Sequence, residues 1–309
     1  MENIDFKSLH VDKENQLVSY NDELHKYWTK DKLMPCISAT TLIGQYTTFD
    51  EFFWSRYKAL EVVMSAEDFK QFKPTLLEKK VYTDDILTDW NIDPEVFEQA
   101  LQDILDEWEE KRETACQRGT DIHLRYEMQT LEQDYTGIEK FGVKPFTGYN
   151  INTTNIISEG QHVLPELLIS FIAPSGQFAL AGQADLVVVD GWDVTILDYK
   201  TNKELKTRSY YDRRKRKSEK MKYPLNHLDD VNFWHYTMQL SLYAWMIEQV
   251  DSRFNIKNLV LLHHDHDDNK QLYELQYLKK SVERMISHYK QQLDYSQYKE
   301  RNTPKHELI

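Results

Sequence analysis

A short turn between two apolar segments constrains the fold of this chain more than any other feature. The turn is Asp190-Gly191, and residues 178–189 and 192–200 on either side of it are rich in valine, isoleucine and leucine. An Asp-Gly pair between two such segments is typical of a β-hairpin. The sequence therefore predicts two neighbouring strands in a largely apolar sheet.

Three charged side chains lie within this hairpin. Residues two apart in a strand share a face, so Asp198 and Lys200 point the same way. When the hairpin closes at the turn, Asp185 falls opposite Asp198 or one step from it, about 4.5–5.5 Å away at Cβ if directly opposite. Two carboxylates in an apolar sheet repel each other unless a cation compensates them.

A hard divalent cation would resolve this repulsion, because carboxylate oxygens are suited to Mg²⁺ or Mn²⁺. With Lys200 beside the cation, the parts needed for metal-assisted hydrolysis of a phosphodiester are present. The alternative is a Lys–Asp pair that covers a sheet edge, with the second aspartate near a turn. The spacing of the three residues does not by itself decide between these interpretations.

The pattern along the chain predicts a mainly helical first half and a strand-rich second half. Asp93-Pro94 begins a helix, Gly119 is expected to interrupt it, and a second helix is predicted from Thr120 to about Leu131. The second half is predicted as β-β-β-α-β-β-α, so two regions are expected, residues 1–160 and residues 161–309. The predicted segments are strands at Val163–Ala173, Phe178–Val189, Trp192–Lys200, Ile256–His264 and Gln271–Leu278, and helices at Asn232–Val250 and Lys279–Leu293.

Composition excludes several classes of protein. The 9 glycines form neither a dinucleotide-binding motif nor a P-loop. With Cys36 and Cys116 as the only cysteines, a disulfide scaffold, a four-cysteine zinc site and a four-cysteine iron–sulfur cluster are excluded. No apolar run approaches 18 residues and the start of the chain is polar, so we expect no membrane partner and a cytoplasmic location.

Five short motifs, in this order, resemble a known family. They are Gly119–His123, Pro165-Glu166-Leu167, Gly182-Gln183-Ala184-Asp185, Asp198-Tyr199-Lys200-Thr201 and Gln239–Tyr243. Together they resemble the signature of PD-(D/E)xK nucleases, most closely the RecB-type branch with its stand-alone phage exonucleases and the mitochondrial genome-maintenance exonuclease. The resemblance covers roughly residues 119–243, and a looser likeness extends to residues 37–43 and 49–59.

The resemblance implies a restriction-endonuclease-like α/β core, a mixed β-sheet flanked by helices, behind a mainly helical N-terminal half. It implies one or two Mg²⁺ or Mn²⁺ ions and no iron–sulfur cluster. By this resemblance the metal ligands would be His123, Asp185, Asp198 and the backbone carbonyl of Tyr199. Lys200 would be the catalytic lysine, Glu166 would hold a metal-bound water or a second cation, and Gln239 and Tyr243 would brace the site and the scissile phosphate. The alternative for His123 is a buried helix histidine, and for Gln239 and Tyr243 ordinary packing.

The charge distribution supports a nucleic-acid partner, although the net charge is −13. Residues 203–222 contain ten Lys or Arg against three acids, a charge of +7, which leaves −20 on the rest of the chain. Such a segment gives salt-sensitive phosphate contacts, and its tyrosines can stack on unpaired bases. The alternatives are a solvated loop with no partner and a disordered tail that contributes only general attraction. The candidate DNA-binding residues are Lys203, Lys206, Arg208, Tyr210, Tyr211, Arg213, Arg214, Lys215, Arg216 and Lys217.

The sequence is therefore interpreted as a metal-dependent DNA exonuclease acting at single-stranded or frayed ends. The alternatives are a structure-selective endonuclease for flaps or junctions and a catalytically inactive nucleic-acid-binding module. The resemblance also implies replication or recombination proteins as partners, and the host cytoplasm if the chain is phage-encoded. A zinc hydrolase built on residues 263–268 is disfavoured, because the chain has no H-E-x-x-H motif.

Overall fold

The structure is a computed structural model that describes residues 9–10, 17–21, 26–131, 161–212 and 216–302. The chain divides into two compact units. The larger unit contains residues 1–48 and 121–309, and the smaller unit contains residues 49–120. The boundary expected near residue 160 falls outside the described residues.

A mixed sheet of nine strands forms the centre of the larger unit in the described part of the chain. Its strand order is β11-β10-β7-β6-β4-β3-β2, with β5 on the other edge of β6 and β1 beside β5. The pairs β7–β10 and β4–β6 are parallel, and the others are antiparallel. The strands are β1 (Leu9–His10), β2 (Val18–Asn21), β3 (Lys26–Thr29), β4 (Pro35–Ser38), β5 (Gln161–Ile172), β6 (Ala179–Asp190), β7 (Asp193–Lys200), β10 (Asn255–His264) and β11 (Lys270–Leu275); β8 (Tyr211–Asp212) and β9 (Lys217–Ser218) form a separate two-stranded sheet.

Helices cover the sheet and form the smaller unit. They are α1 (Ala39–Gly44), α2 (Glu51–Val63), α3 (Ala66–Lys79), α4 (Asp85–Asp89), α5 (Pro94–Leu131), α6 (Asn232–Val250) and α7 (Lys279–Asn302). In the larger unit, α6 is buried over most of its length against the sheet and α7. The smaller unit has its own apolar core, in which Phe53, Leu60 and Phe97 are nearly inaccessible. Among the described helices, none has the length and apolar character needed to cross a membrane.

The predicted order of the second half is confirmed except for the two short strands β8 and β9, which the pattern does not predict, and α6 has the predicted bounds. The predicted break at Gly119 is wrong, because α5 is continuous from Pro94 to Leu131. A single glycine costs a helix only about 1 kcal/mol, and Gly119 is not among the described glycines with a positive φ, which a helix-ending glycine normally adopts. The four short strands before α1, in a region predicted as mainly helical, also join the sheet.

One edge of β6 changes partner along its length. Residues Leu186–Asp190 pair with β7, whereas Leu180 and Ala181 pair with β4. Because β5 occupies the opposite edge throughout, β7 and β4 must share this one. Residues 182–185 lie between the two partners, and the described strands offer them no backbone pairing on this edge. The sheet therefore opens at Gly182–Asp185.

Candidate active site

Three acidic residues lie side by side across three neighbouring strands at this opening. Glu166 on β5 lies beside Asp185 on β6, between the paired residues Pro165↔Leu186 and Leu167↔Ala184. Asp198 on β7 follows Leu197, which pairs with Leu186. The register therefore places Glu166, Asp185 and Asp198 in one row, which is called the acidic row below.

Glu166 has an unusual backbone conformation, with φ at 50°. Residues that face the main core are two apart elsewhere in these strands, but they are three apart here: Leu164 and then Leu167 in β5, Ala184 and then Val187 in β6. In both strands the alternation of side chains between the two faces of the sheet shifts by one residue at this point. Because the shift occurs in both, the pairing register between β5 and β6 is unchanged. A non-glycine residue in the left-handed region stores strain that the surrounding structure must hold. Such strain at a charged residue is typical of functional sites.

The imidazole of His123 reaches the acidic row from α5. Its Nδ1 lies 3.4 Å from Oδ1 of Asp185, and its Nε2 lies 3.0 Å from the carbonyl oxygen of Tyr199. One turn later, Tyr126 stacks on the ring of Tyr199 with 4.4 Å between centroids. Ile122 and Tyr126 are buried against the sheet. These contacts fix the last turns of α5 on β7.

The structure brings His123, Glu166 and Asp185 together as a group of candidate metal ligands, whose ligand atoms all lie within 4.8 Å of one another. Asp198, also predicted as a ligand, has its Oδ2 2.5 Å from Nζ of Lys200. Its Oδ1 is buried and accepts no hydrogen bond from the described residues. Carboxylates with one imidazole suit Mg²⁺ or Mn²⁺, and a cation would satisfy the unpaired oxygen. The donor set therefore fits a divalent metal ion.

Burial and mutual repulsion raise the pKa values of two acids in the row. Burial, and then the charge of Asp185, raise the pKa of Glu166 to about 8 and that of Asp198 to about 6. Asp185 behaves differently: burial opposes its charge, but His123, Lys200 and the backbone N–H of Tyr199 hold its pKa below the ordinary value. That N–H donates to Oδ2 of Asp185 at 2.6 Å.

The acids of the row raise the pKa values of the two cationic side chains, His123 and Lys200. Burial opposes the charge of His123, but Asp185 raises its pKa to about 9. Burial likewise opposes the charge of Lys200, yet Asp198 and Asp185 raise its pKa above the ordinary value. In the absence of a cation the site therefore holds protons that a metal ion would have to displace.

Gln239 and Tyr243 approach the site from α6, which packs against the sheet. Nε2 of Gln239 donates to the hydroxyl of Tyr243 at 3.0 Å, and both residues are buried. The Tyr243 ring lies directly against Gly182, where a Cβ would come within 2.5 Å of Cε1. The glycine of the G-x-x-D motif is thus required by the tyrosine of another motif. No local pattern in the sequence explains why residue 182 is a glycine.

Tyr236, which belongs to none of the five motifs, lies one turn before Gln239 on the same face of α6. Its ring centroid lies 4.9 Å from Nζ of Lys200. The signal that could have identified it is the spacing of residues 236, 239 and 243, three and four apart, which places them on one helical face.

The described part of residues 203–222, called the basic segment below, is tied to the residues that precede α6. Asp229 accepts hydrogen bonds from the backbone N–H of Ser209 at 3.2 Å and from Oγ of Ser218 at 3.4 Å, and it pairs with Lys220. Between these anchors, β8 pairs antiparallel with β9. Arg213, Arg214 and Lys215 lie outside the described residues. The candidate residues that are described and exposed are Lys203, Lys206, Arg208, Tyr210, Tyr211, Arg216 and Lys217.

The histidines at the end of β10 have partners within the fold. His264 ends the strand, and its Nε2 lies 2.9 Å from Oδ1 of Asp268 in the following turn. Nε2 of His263 lies 2.6 Å from the carbonyl oxygen of Asn202. Within the described residues, this stretch does not form a group of metal ligands.

Comparison with known proteins identifies a family, and solved structures that resemble this chain include the two described below. The family model of the PD-(D/E)XK nuclease superfamily matches residues 65–305, which include every residue of the acidic row. SSO0001 is similar over 87% of this chain and 78% of its own, with 14% identity and a TM-score of 0.30. A protein from Eubacterium rectale named "Putative exonuclease" is similar over 91% of this chain and 74% of its own, with 14% identity and a TM-score of 0.33. No curated protein matches the sequence.

Proposed function

The chain belongs to the PD-(D/E)XK nuclease superfamily, and from this premise we propose that it is a divalent-metal-dependent DNA exonuclease of the RecB-type branch. We further propose that it acts at single-stranded or frayed ends. The observation that carries the proposal is the convergence of His123, Glu166 and Asp185 within 4.8 Å, next to the Asp198–Lys200 pair.

Nucleases of this superfamily use divalent metals, and the donors at the acidic row fit such an ion. We assign Mg²⁺ or Mn²⁺, as one or two ions, to His123, Glu166 and Asp185, with Asp198 and the carbonyl of Tyr199 as the further ligands. When bound, a cation of this kind polarises a phosphoryl oxygen and makes a water molecule more acidic.

Lys200 and Glu166 have different parts in the proposed reaction. The raised pKa of Lys200 keeps its ammonium charged at neutral pH, so it offsets the negative charge that develops on the phosphate rather than removing a proton. The carboxyl group of Glu166 lies with His123 and Asp185 in the group of candidate ligands, where it would hold a metal-bound water. We propose that Glu166 accepts the proton of the attacking water. Gln239 and Tyr243 would orient the scissile phosphate through the Tyr243 hydroxyl.

The basic segment supports DNA as the substrate, because it begins three residues after Lys200. Its exposed cations would contact phosphates in a sequence-independent way. Tyr210 is 82% exposed and Tyr211 54% exposed, and we propose that they stack on unpaired bases near the end of a strand.

Linear and covalently closed circular DNA of the same sequence test the proposal. With Mg²⁺ or Mn²⁺, end-labelled linear DNA should be shortened progressively while the circle stays intact, and a chelator should stop the reaction. Cutting of the circle would reject an exonuclease in favour of a structure-selective endonuclease. Binding without cleavage under either metal would favour an inactive nucleic-acid-binding module.

A further inference from the structure

Tyr236 contacts the proposed catalytic lysine, although it belongs to none of the motifs that identify the family. Nζ of Lys200 lies between the carboxylate of Asp198, at 2.5 Å, and the ring of Tyr236, at 4.9 Å from its centroid. We propose that Tyr236 is a positioning residue for Lys200, with its ring directing the ammonium group towards the acidic row. The inference rests on the proposed function, because it assigns Lys200 a part in the reaction.

Lys200 needs such a contact because its side chain is long. Four rotatable bonds separate the ammonium group from the backbone, and the side chain is 17% exposed, so alternative rotamers reach solvent. The ion pair with Asp198 holds the group from one side only. The face of an aromatic ring attracts a cation, and this attraction is strongest where water is excluded. Tyr236 therefore limits the ammonium group to positions near Asp198.

The hydroxyl of Tyr236 has a separate contact. It donates to Oδ1 of Asn202 at 3.3 Å, at the point where the chain leaves β7. The backbone carbonyl of Asn202 lies 2.6 Å from Nε2 of His263 at the end of β10. The side-chain amide of Asn202 donates to the carbonyl of Glu204 within the basic segment. The hydroxyl thus helps to fix where the basic segment starts, whereas the ring acts on the lysine.

Because ring and hydroxyl have different partners, two substitutions separate their effects. Tyr236→Leu removes the ring and should lower kcat about tenfold with little change in KM. Tyr236→Phe keeps the ring and should retain kcat, while loss of the bond to Asn202 raises KM about twofold. Phe233→Leu is the matched control, because this half-buried aromatic on the same helix packs against Trp234 and Tyr273 rather than Lys200. Wild-type kcat in Tyr236→Leu, or an equal loss in Phe233→Leu, would overturn the inference.

A measurement without substrate separates this inference from the proposed function. In protein labelled with ¹³C-lysine, the ε-protons of Lys200 should be shifted upfield by the Tyr236 ring, with the resonance assigned from Lys200→Arg. The shift should persist in Tyr236→Phe and disappear in Tyr236→Leu. A wild-type protein without this shift overturns the inference even if it cleaves DNA. If the wild-type protein shows the shift but cleaves no DNA, the contact between Tyr236 and Lys200 is supported and the nuclease proposal is rejected.

Discussion

The acidic row and the basic segment are close in sequence, but the charges of the acidic row are buried and those of the basic segment are exposed to solvent. Asp198 is 1% exposed and Asp185 is 7% exposed, whereas Tyr210 in the basic segment is 82% exposed and its neighbouring cations face solvent. Charges removed from water interact strongly and change one another's pKa values, while exposed charges are screened by water and salt. We therefore expect single residues to dominate in the acidic row and effects to be small and cumulative in the basic segment.

The largest effect on kcat is expected from the loss of a single buried charge, that of Lys200. Lys200→Ala should lower kcat by roughly a thousandfold, because it removes the ammonium group that would offset the developing phosphate charge beside the metal ion. Thermal unfolding and DNA binding should change little. Lys257→Ala is the control, because this exposed lysine pairs with Asp193 near the other end of β7. Near-normal cleavage by Lys200→Ala would show that the roles in the acidic row are wrongly assigned.

A second variant tests whether the site depends on close packing from α6. Gly182→Ala places a Cβ 2.5 Å from Cε1 of Tyr243, so the ring must move away from the row. A displacement of this size should lower kcat by about ten- to a hundredfold. Gly44→Ala is the matched control, because a Cβ there has no atom within 4 Å. Equal activity of the two variants would mean that the position of Tyr243 is unimportant.

The pH dependence of metal binding tests whether Glu166 and His123 are protonated in the metal-free site. The pKa of Glu166 is raised from 4.5 to about 8 and that of His123 from 6.5 to about 9, so both hold protons at pH 7. A metal ion must displace these protons, and its affinity should therefore rise with pH by up to about tenfold per unit for each proton released.

Calorimetric titration with MnCl₂ in two buffers of different ionisation enthalpy counts the released protons. Glu166→Gln should release about one proton fewer than the wild type at pH 7. An affinity that does not change between pH 6.5 and 8.5 would contradict the raised pKa values.

In the basic segment, the effect of exposed cations should be visible mainly through salt. Arg216→Ala with Lys217→Ala should weaken DNA binding and reduce the slope of log K against log salt by about 1.4 for single strands, with kcat at saturation unchanged. Lys58→Ala, which removes an exposed lysine of α2 that pairs with Glu61, is the control. The same salt slope in both proteins would exclude these residues from phosphate contact.

The smallest expected effect concerns the anchor of the basic segment. Asp229→Asn weakens the contacts with Ser218 and Lys220, so KM should rise about threefold while kcat stays constant. Asp193→Asn, an exposed acid that pairs with Lys257, controls for loss of a charge. A fall in kcat of similar size would instead indicate that the anchor shapes the acidic row.

Local signals made much of the fold predictable. The hairpin and α6 follow from the Asp-Gly turn and from long apolar runs, which depend only on neighbouring residues. The predicted break at Gly119 is wrong because the cost of a glycine to a helix is small beside the packing of Ile122 and Tyr126 against the sheet. The contact between Gly182 and Tyr243 could not be predicted, because it joins a strand and a helix about sixty residues apart.

The sequence by itself determined which chemical groups the protein has and the order in which they occur along the hairpin and α6. Only the tertiary structure decided that Glu166 and Asp185 lie side by side with His123, while Asp198 is paired with Lys200. The physical reason is that strand register and helix placement are set by packing in a common core, where residues distant in sequence must fill the same space. Local preferences select the strands, but the core decides which charges meet.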